Sequence, residues 1–494
     1  MSTSSIMQET RQLSSRRAAL RDRRGLALAI VLGAQLMIIL DLTVVNIALP
    51  SMARGLHFSV PALSWVLNAY TLTFGGLLLL GGRTGDILGR RRVFLAGIAL
   101  FTAASLAGGL AQSAGWLLTA RAAQGVGGAF ASPAVLAMIT TSFADGRERA
   151  RALGIYTAVV MGGGSLGLVL GGVITEWVSW RWVLFINVPI GIAVLLAAPL
   201  FLPETPRQPG HFDVLGALTS TAGMVSLVYG IIRAAADGWG NPVALGALAA
   251  AAVLLTGFLY HESRARQPIT PLRLFADRQR AGSYLTRLLI VAGMFGMFFF
   301  LTQFVQEILG FSPLRAGISF LPMTAALFGV SRLSPRLVSR FRPWTLMVTG
   351  MLPVVAGMAW LSRISLGTGY LAGVLGPMLL IGAGMGVVFV PLTMASLSGV
   401  RPEDSGAASS MVNVMQQVGG SLGLAILVTA ASRAGHPAAG PAAVVHGMSS
   451  AFTLAAVLDV LALVVVLTVM RPGPGETART AGPARAAVAE QATE

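Results

Sequence analysis

Stretches of about 20 apolar residues recur fourteen times along this chain, each separated from the next by a short polar or Pro/Gly-containing break. At 1.5 Å of helical rise per residue, about 20 residues cross a hydrocarbon core of ~30 Å. The predicted spans cover residues 26–49, 63–82, 93–112, 117–140, 152–175, 182–201, 214–232, 242–260, 282–304, 317–333, 344–361, 371–392, 407–430 and 449–470. Within lipid, backbone polar groups must be satisfied inside their own segment, so such runs fold as helices. The expectation is an all-α integral membrane protein. Composition agrees, since 11% charged residues is less than half of the ~25% that covers a soluble surface.

The sparse charge is not scattered. With both termini on one side of the membrane, 27 of the 35 arginines fall on that side, in the loops and in the two terminal segments. Six (Arg54, Arg181, Arg233, Arg315, Arg363, Arg433) fall on the other, and Arg121 and Arg287 lie within spans. Short loops rich in arginine mark the cytoplasmic face, so both termini are expected to be cytoplasmic. The first span is too long for the apolar core of a signal peptide and no cleavage site leads into a soluble domain, so it is expected to stay in the mature protein. The net charge of +16 follows from these loop arginines and anionic headgroups, with no basic domain interleaved with aromatics for nucleic acid.

Two absences bound the chemistry. The chain has no cysteine, which excludes disulfides, thiolate metal sites and cysteine nucleophiles. It has no lysine, so it cannot hold phosphate in a P-loop or form a Schiff base. The five histidines (His57, His211, His261, His436, His446) fall in predicted loops with no metalloprotease spacing. An enzyme is a poor reading, and no cofactor is expected.

Asp41 lies well inside the first span, where an acid costs about 2.5 to 3.5 kcal/mol even on insertion scales. Such a cost points to a use; the plainer alternative is an acid that locks two helices together. Depth suggests its partner. Asp41 stands roughly 22 Å above the cytoplasmic boundary at helical rise, and Arg121, entering span four from the other side, stands at roughly 24 Å. Opposite charge and desolvation act on a carboxyl in opposing directions, and an acid held between them can load and release a proton as access changes.

The second loop reads Gly82-Arg83-Thr84-Gly85-Asp86-Ile87-Leu88-Gly89-Arg90-Arg91-Arg92, a tight turn with a basic triplet facing the inner leaflet. Span four carries Arg121, Gln124, Gly125, Gly127 and Gly128; span five carries Gly162, Gly163, Gly164, Gly167, Gly171 and Gly172. Glycines four apart let helix backbones approach closely in lipid. Trp180-Arg181-Trp182 then anchors the start of span six at the interface.

Taken in order, LDLTVVNIALP, WVLNAY, GRTGDILGRRR, LLTARAAQGVGGA, the span-five glycines and WRWVLFINVPIG resemble the signature motifs of the major facilitator superfamily. QEILGFSPLRAGISFLP and SGAASSMVNVMQQVGGSLGLAI resemble its fourteen-helix drug:proton antiporter branch, the EmrB/QacA type. The resemblance runs from about Leu26 to Ala430. It implies two pseudo-symmetric six-helix bundles, residues 26–201 and 282–470, with two inserted helices and a loop over 202–281. A basic segment, residues 1–25, precedes them and a disordered tail, 471–494, follows.

The resemblance also implies roles. Asp41 would be the proton-linked acid and Arg121 its coupling residue. Asp86 with Arg90 and Arg91 would form a cytoplasmic charge latch. Gly163, Gly167, Gly171 and Gly172 would belong to a bending antiporter helix. Two departures stand out: Leu168 follows Gly167 where the family usually has proline, and the matching loop of the second half, residues 332–343, holds four arginines and no acid.

Polar residues at mid-depth usually face a bundle interior or a water-filled cavity, which makes Asn413, Gln416 and Gln417 of span thirteen and Asp459 of span fourteen cavity candidates. Asp459 could bind a cationic substrate or a second proton, or equally serve as a hydrogen bonder between helices. Met294, Met297 and Phe298 offer adaptable apolar surface; Asn46 and Gln124 join the cavity set, and Trp65, Asn68 and Tyr70 are placed at an outer mouth. The function expected is proton-coupled efflux of lipophilic compounds, cationic ones included, by a monomer in a bacterial plasma membrane. Proton-coupled uptake of a metabolite, and a permease served by a separate ATPase, are the alternatives.

Overall fold

The computed structural model describes residues 3–142, 146–202, 204, 213–265, 272–400, 405–435 and 440–471, with some helical positions, Asp86 among them, described by backbone alone. The tail expected to be disordered lies, but for Arg471, outside the described residues. Every long element is a helix. They are α1 (Thr3–Leu56), α2 (Trp65–Leu88), α3 (Arg90–Gly109), α4 (Ala114–Ser142), α5 (Gly146–Trp177) and α6 (Trp182–Phe201). Then come α7 (Val214–Asp237), α8 (Pro242–Arg264), α9 (Arg278–Ile308), α10 (Pro313–Ser331), α11 (Pro343–Leu361), α12 (Tyr370–Leu397), α13 (Ser405–Ala434) and α14 (Pro441–Thr468).

Among the described residues, 12 helices are long and apolar enough to cross a membrane. They include all of these except α4 and α5, so the sequence count of fourteen spans exceeds the count that apolar length supports. The remaining two are nonetheless 29 and 32 residues long and are packed among the others.

Several ends differ from the sequence reading. The basic first segment is continuous with α1, whose backbone is helical from Thr3. Span ten begins at Pro313, earlier than residue 317, because Ser312 caps it by accepting from the Arg315 amide at 3.3 Å. Gly310 supplies the left-handed turn before it, with φ 67°. Helical residues also hold two of the histidines assigned to loops, His261 in the last turn of α8 and His446 near the start of α14.

Helices α1 to α6 pack into one bundle and α9 to α14 into a second. We refer to the end of the molecule bearing Arg83, Arg90 to Arg92 and Arg332 as the arginine-rich end, and to that bearing Arg54, Arg181, Arg315 and Arg363 as the far end. The bundles meet along two seams, α2 with α13 and α5 with α10. The α7–α8 hairpin lies over the first seam: Leu72 of α2, Val228 and Ile232 of α7 and Ala425 of α13 form one buried cluster. Helix α7 therefore touches both bundles, while α8 leans on α7 and turns most of its apolar surface outward, as a lipid-facing helix does.

Candidate functional site

Asp41 and Arg121, proposed as partners from depth alone, meet. The Arg121 guanidinium donates through Nη1 to Asp41 Oδ2 at 2.5 Å and to Gln124 Oε1 at 2.9 Å, and through Nε to the Val66 carbonyl at 3.0 Å. Asp41 Oδ1 accepts from Gln124 Nε2 at 3.0 Å and from Asn187 Nδ2 at 2.9 Å, and Gln124 also donates to Ser105 Oγ at 2.7 Å. The guanidinium sits 4.6 Å from the centre of the Tyr70 ring, a placement favoured by the ring's negative face. Asp41 is 1% exposed and Arg121, Gln124, Asn187 and Ser105 are at 0%.

The members come from five helices. Arg121 and Gln124 are three apart and so share one face of α4; Asp41 belongs to α1, Ser105 to α3, Asn187 to α6 and the Val66 carbonyl to α2. Hydrogen bonds offset the cost of so deep a charge pair, although Arg121 Nη2 and Asn187 Oδ1 have no partner among the described residues. Protonating Asp41 would remove the reason for Arg121 to stay and would weaken the grip of Gln124 and Asn187 at the same moment. The network links side chains or carbonyls of five helices, α1, α2, α3, α4 and α6, at one carboxylate.

Of the expected charge latch, the described residues give the arginine side. The side chain of Asp86 lies outside the described residues. The described partner of Arg91 is Glu204, just past α6, with Nε to Oε2 at 3.6 Å; Arg91 also donates to the Leu202 carbonyl at 3.0 Å. Arg92 approaches the same carboxylate at 3.7 Å. Arg90 opens α3 and is half-buried. Glu204 is the residue that sequence reasoning missed, although Pro203-Glu204-Thr205 directly after an apolar span marks it as the only acid between spans six and seven apart from Asp213.

The α5 glycines divide their work. Gly163, Gly167 and Gly171 face α1 at Leu36, Thr43 and Val44, whereas Gly172 faces the second bundle. A Cβ on Gly172 would stand 2.7 Å from Leu314 Cα, and one on Gly317 would stand 2.3 Å from the Leu168 carbonyl. Backbones in such contact close the far end of the α5–α10 seam without the usual proline, with Leu168 buried at 4% exposure. Glu176 completes the closure by accepting from the Leu314 amide at 2.8 Å, so a residue of one bundle caps a helix of the other. Beside it, Gln306 donates to the Ile47 carbonyl at 2.9 Å.

The cavity candidates separate into two groups. Asn413 is exposed, and Asn46, Met294, Phe298 and Gln416 are half-buried, with Phe298 stacked on Phe320. Asn46 also accepts from Thr302 across the bundles at 3.4 Å. Gln417 is buried against Gly75 of α2, and Thr71 and Ser421 bond across the same seam. Gln124 belongs to the Asp41 network, Met297 is fully packed in the core, and Asp459 faces Gly293 between α14 and α9. Asn68 and Tyr70 are fully buried, so they line no mouth; Trp65 packs against Tyr229 of α7. These corrections have one cause: depth along a helix was readable, but the direction around its axis was not. Among the described residues no group of three His, Asp or Glu side chains could hold a metal ion.

Comparison with known proteins agrees with this architecture. Among solved structures, the bacterial homolog of the human lysosomal transporter Spinster, inward-facing and occupied, aligns at a TM-score of 0.65 and 17% identity. That alignment covers 91% of this chain and 99% of the other. The nucleoside transporter NupG aligns at 0.65 and 11% identity, covering 90% and 100%. By sequence, the puromycin resistance protein pur8 of Streptomyces alboniger is 43% identical, over 90% of this chain and 90% of its own length. The cephamycin export protein CmcT of Amycolatopsis lactamdurans is 42% identical over 83% and 86%, and the lincomycin resistance protein of Streptomyces lincolnensis 35% over 93% and 96%. The Major Facilitator Superfamily profile matches residues 31–424. With that match spanning most of the chain, and two helical bundles meeting around a buried charge network, the chain belongs to the Major Facilitator Superfamily as a multi-pass membrane transporter.

Proposed function

We propose that protons drive this efflux transporter, entering from the far side and leaving on the arginine-rich side as a lipophilic compound is carried outward. The observation that carries the reading is the buried Asp41–Arg121 pair with Gln124 and Asn187, an ionisable pair built to change its contacts with one proton. Each charge moved inward gains about 2.3 kcal/mol per 100 mV of membrane potential. The arginine distribution supports a cytoplasmic arginine-rich end with both termini on that side. The proton gradient is the energy source, with no cofactor, in a monomer of a bacterial plasma membrane.

The chain falls in the fourteen-helix EmrB/QacA branch on this reading. Helices α4 and α5 are long enough to cross the bilayer, and α5 provides the glycine face that packs both on α1 and across to α10. The relatives named for puromycin, cephamycin and lincomycin support natural-product antibiotics as the substrate class. Adaptable side chains of the Met294, Phe298 and Gln416 kind suit ligands of unlike shape.

The test is export by purified protein in liposomes carrying an imposed pH gradient, with puromycin and lincomycin as probes. Asp41→Asn is expected to abolish gradient-driven export while binding stays measurable. Export by Asp41→Asn that still tracks the gradient would refute proton coupling through this acid.

A further inference from the structure

The second bundle buries an acid that the Asp41 network does not touch. Asp459 of α14 is 1% exposed, and neither of its carboxyl oxygens has a hydrogen-bond partner. It faces Gly293 of α9, where a Cβ would lie 3.3 Å from Oδ1 and 3.6 Å from the Ala455 carbonyl. Gly293 stands fifteen residues before the end of α9 at Ile308, and Asp41 stands fifteen before the end of α1 at Leu56. Counted in residues, both acids lie equally far from the far end, although the last five residues of α9, Phe304–Ile308, are π-helical.

No charge on the surrounding helices compensates Asp459. Helix α11 has no ionisable residue at all, and α13 has Arg433 alone, which lies over Trp239. On α9, Arg278 bonds to the Arg471 carbonyl and Arg280 to the carbonyls of Leu274 and Ser398, while Glu307 is at the far end. Tyr284 donates to the Ser396 carbonyl. Arg287 donates to Thr393 Oγ1 at 2.8 Å and sits over Phe389, so it is turned toward α12 and away from Asp459. The other ionisable residue of α14, His446, is exposed. A bare carboxylate without a donor or a counter-charge is the costliest group to bury, and a neutral carboxylic acid avoids most of that cost.

We propose that Asp459 carries a proton in this conformation and is a second, exchangeable proton site, located between α14 and α9 in the carboxy-terminal bundle. The step is an acid dissociation: the Asp459 O–H bond breaks, its electron pair stays on the carboxylate, and the proton passes to water when α14 and α9 part enough to admit it. Its place in transport rests on the proton-driven reading; its protonation does not.

Infrared spectroscopy of the full-length protein in liposomes, without substrate, tests the site. The unchanged chain is expected to show a protonated-carboxyl C=O band at neutral pH that shifts in heavy water and decays reversibly on alkalinisation. Asp459→Asn, a near-isosteric neutral change, is expected to lose that band, and Asp41→Asn to keep it. An identical band in Asp459→Asn would overturn the inference. So would a band that is lost in Asp459→Asn but, in the unchanged chain, neither exchanges nor titrates, because that proton would be structural. If Asp41→Asn still exports along the gradient while the Asp459 band behaves as expected, the coupling reading fails and this site stands.

Discussion

The two bundles each bury one acid within a span and treat it in opposite ways. In the first, Asp41 accepts three hydrogen bonds and faces the guanidinium of Arg121. In the second, Asp459 accepts none, and the buried base, Arg287, is bonded to Thr393 with no ion pair among the described residues. Related bundles of one fold can therefore hold their ionisable groups either joined or apart. Joined, the groups tie helices together through shared hydrogen bonds; apart, Arg287 relies on Thr393 and the Phe389 ring, and Asp459 has no polar partner to offset its burial. The first arrangement suits coupling of charge to helix movement, and substitutions can test how far the contrast goes.

The largest effect is expected from Asp41→Asn, with loss of gradient-driven export, as measured in liposomes. Next is Arg121→Ala, which strands Asp41 without its cation. Breaking a buried pair from one side costs about 3 to 5 kcal/mol, to be read as a fall in unfolding temperature in detergent. The surviving transport is expected to have a displaced pH optimum, and an unchanged profile would separate the pair from proton handling. The double change Asp41→Asn with Arg121→Gln should recover much of the lost stability, since it removes both charges together. Arg287→Gln, on the far side of the comparison, should cost less than Arg121→Ala because no acid is left behind.

The seam between the bundles gives smaller effects. Gly172→Leu places a side chain where Leu314 Cα already lies, and overpacking of this kind costs about 1 to 3 kcal/mol. The far end should open more often, which a single cysteine introduced at Thr175 into this cysteine-free chain would report through faster labelling by a thiol reagent added on the far side. Glu176→Gln keeps a hydrogen-bond acceptor but loses the charge on an exposed cap, so labelling should rise by no more than about twofold, for a cost of ~0.4 kcal/mol. Smallest of all is Glu204→Gln. Its pairs with Arg91 and Arg92 are partly solvated, and such pairs are worth about 0 to 1 kcal/mol and less in salt.

Much of the fold was legible because lipid leaves the backbone so few choices. The apolar runs located the helices, and the arginine bias separated the two ends. The meeting of Asp41 with Arg121 was also legible, since both depths could be counted. Gln124 joins the cavity on sequence grounds, yet its position three residues after Arg121 places it on the same face of α4 and in the Asp41 network. Asn187 was read only as part of an interfacial motif. Asn68, Tyr70 and Met297 sit at depths that suggest a ligand-facing role but are buried, and Glu204, outside any span, is the described partner of Arg91.

What the sequence determined by itself was position along the membrane normal, because a helix rises a fixed 1.5 Å per residue whatever surrounds it. It therefore specified which residues share a depth, and which end of the molecule collects the positive charge. The tertiary structure decided azimuth and neighbour. Rotation of each helix about its axis is set by packing against several others, by contacts such as Gly172 with Leu314 and Gly293 with Asp459 that no single segment encodes. That is why one buried acid has a partner and the other has none.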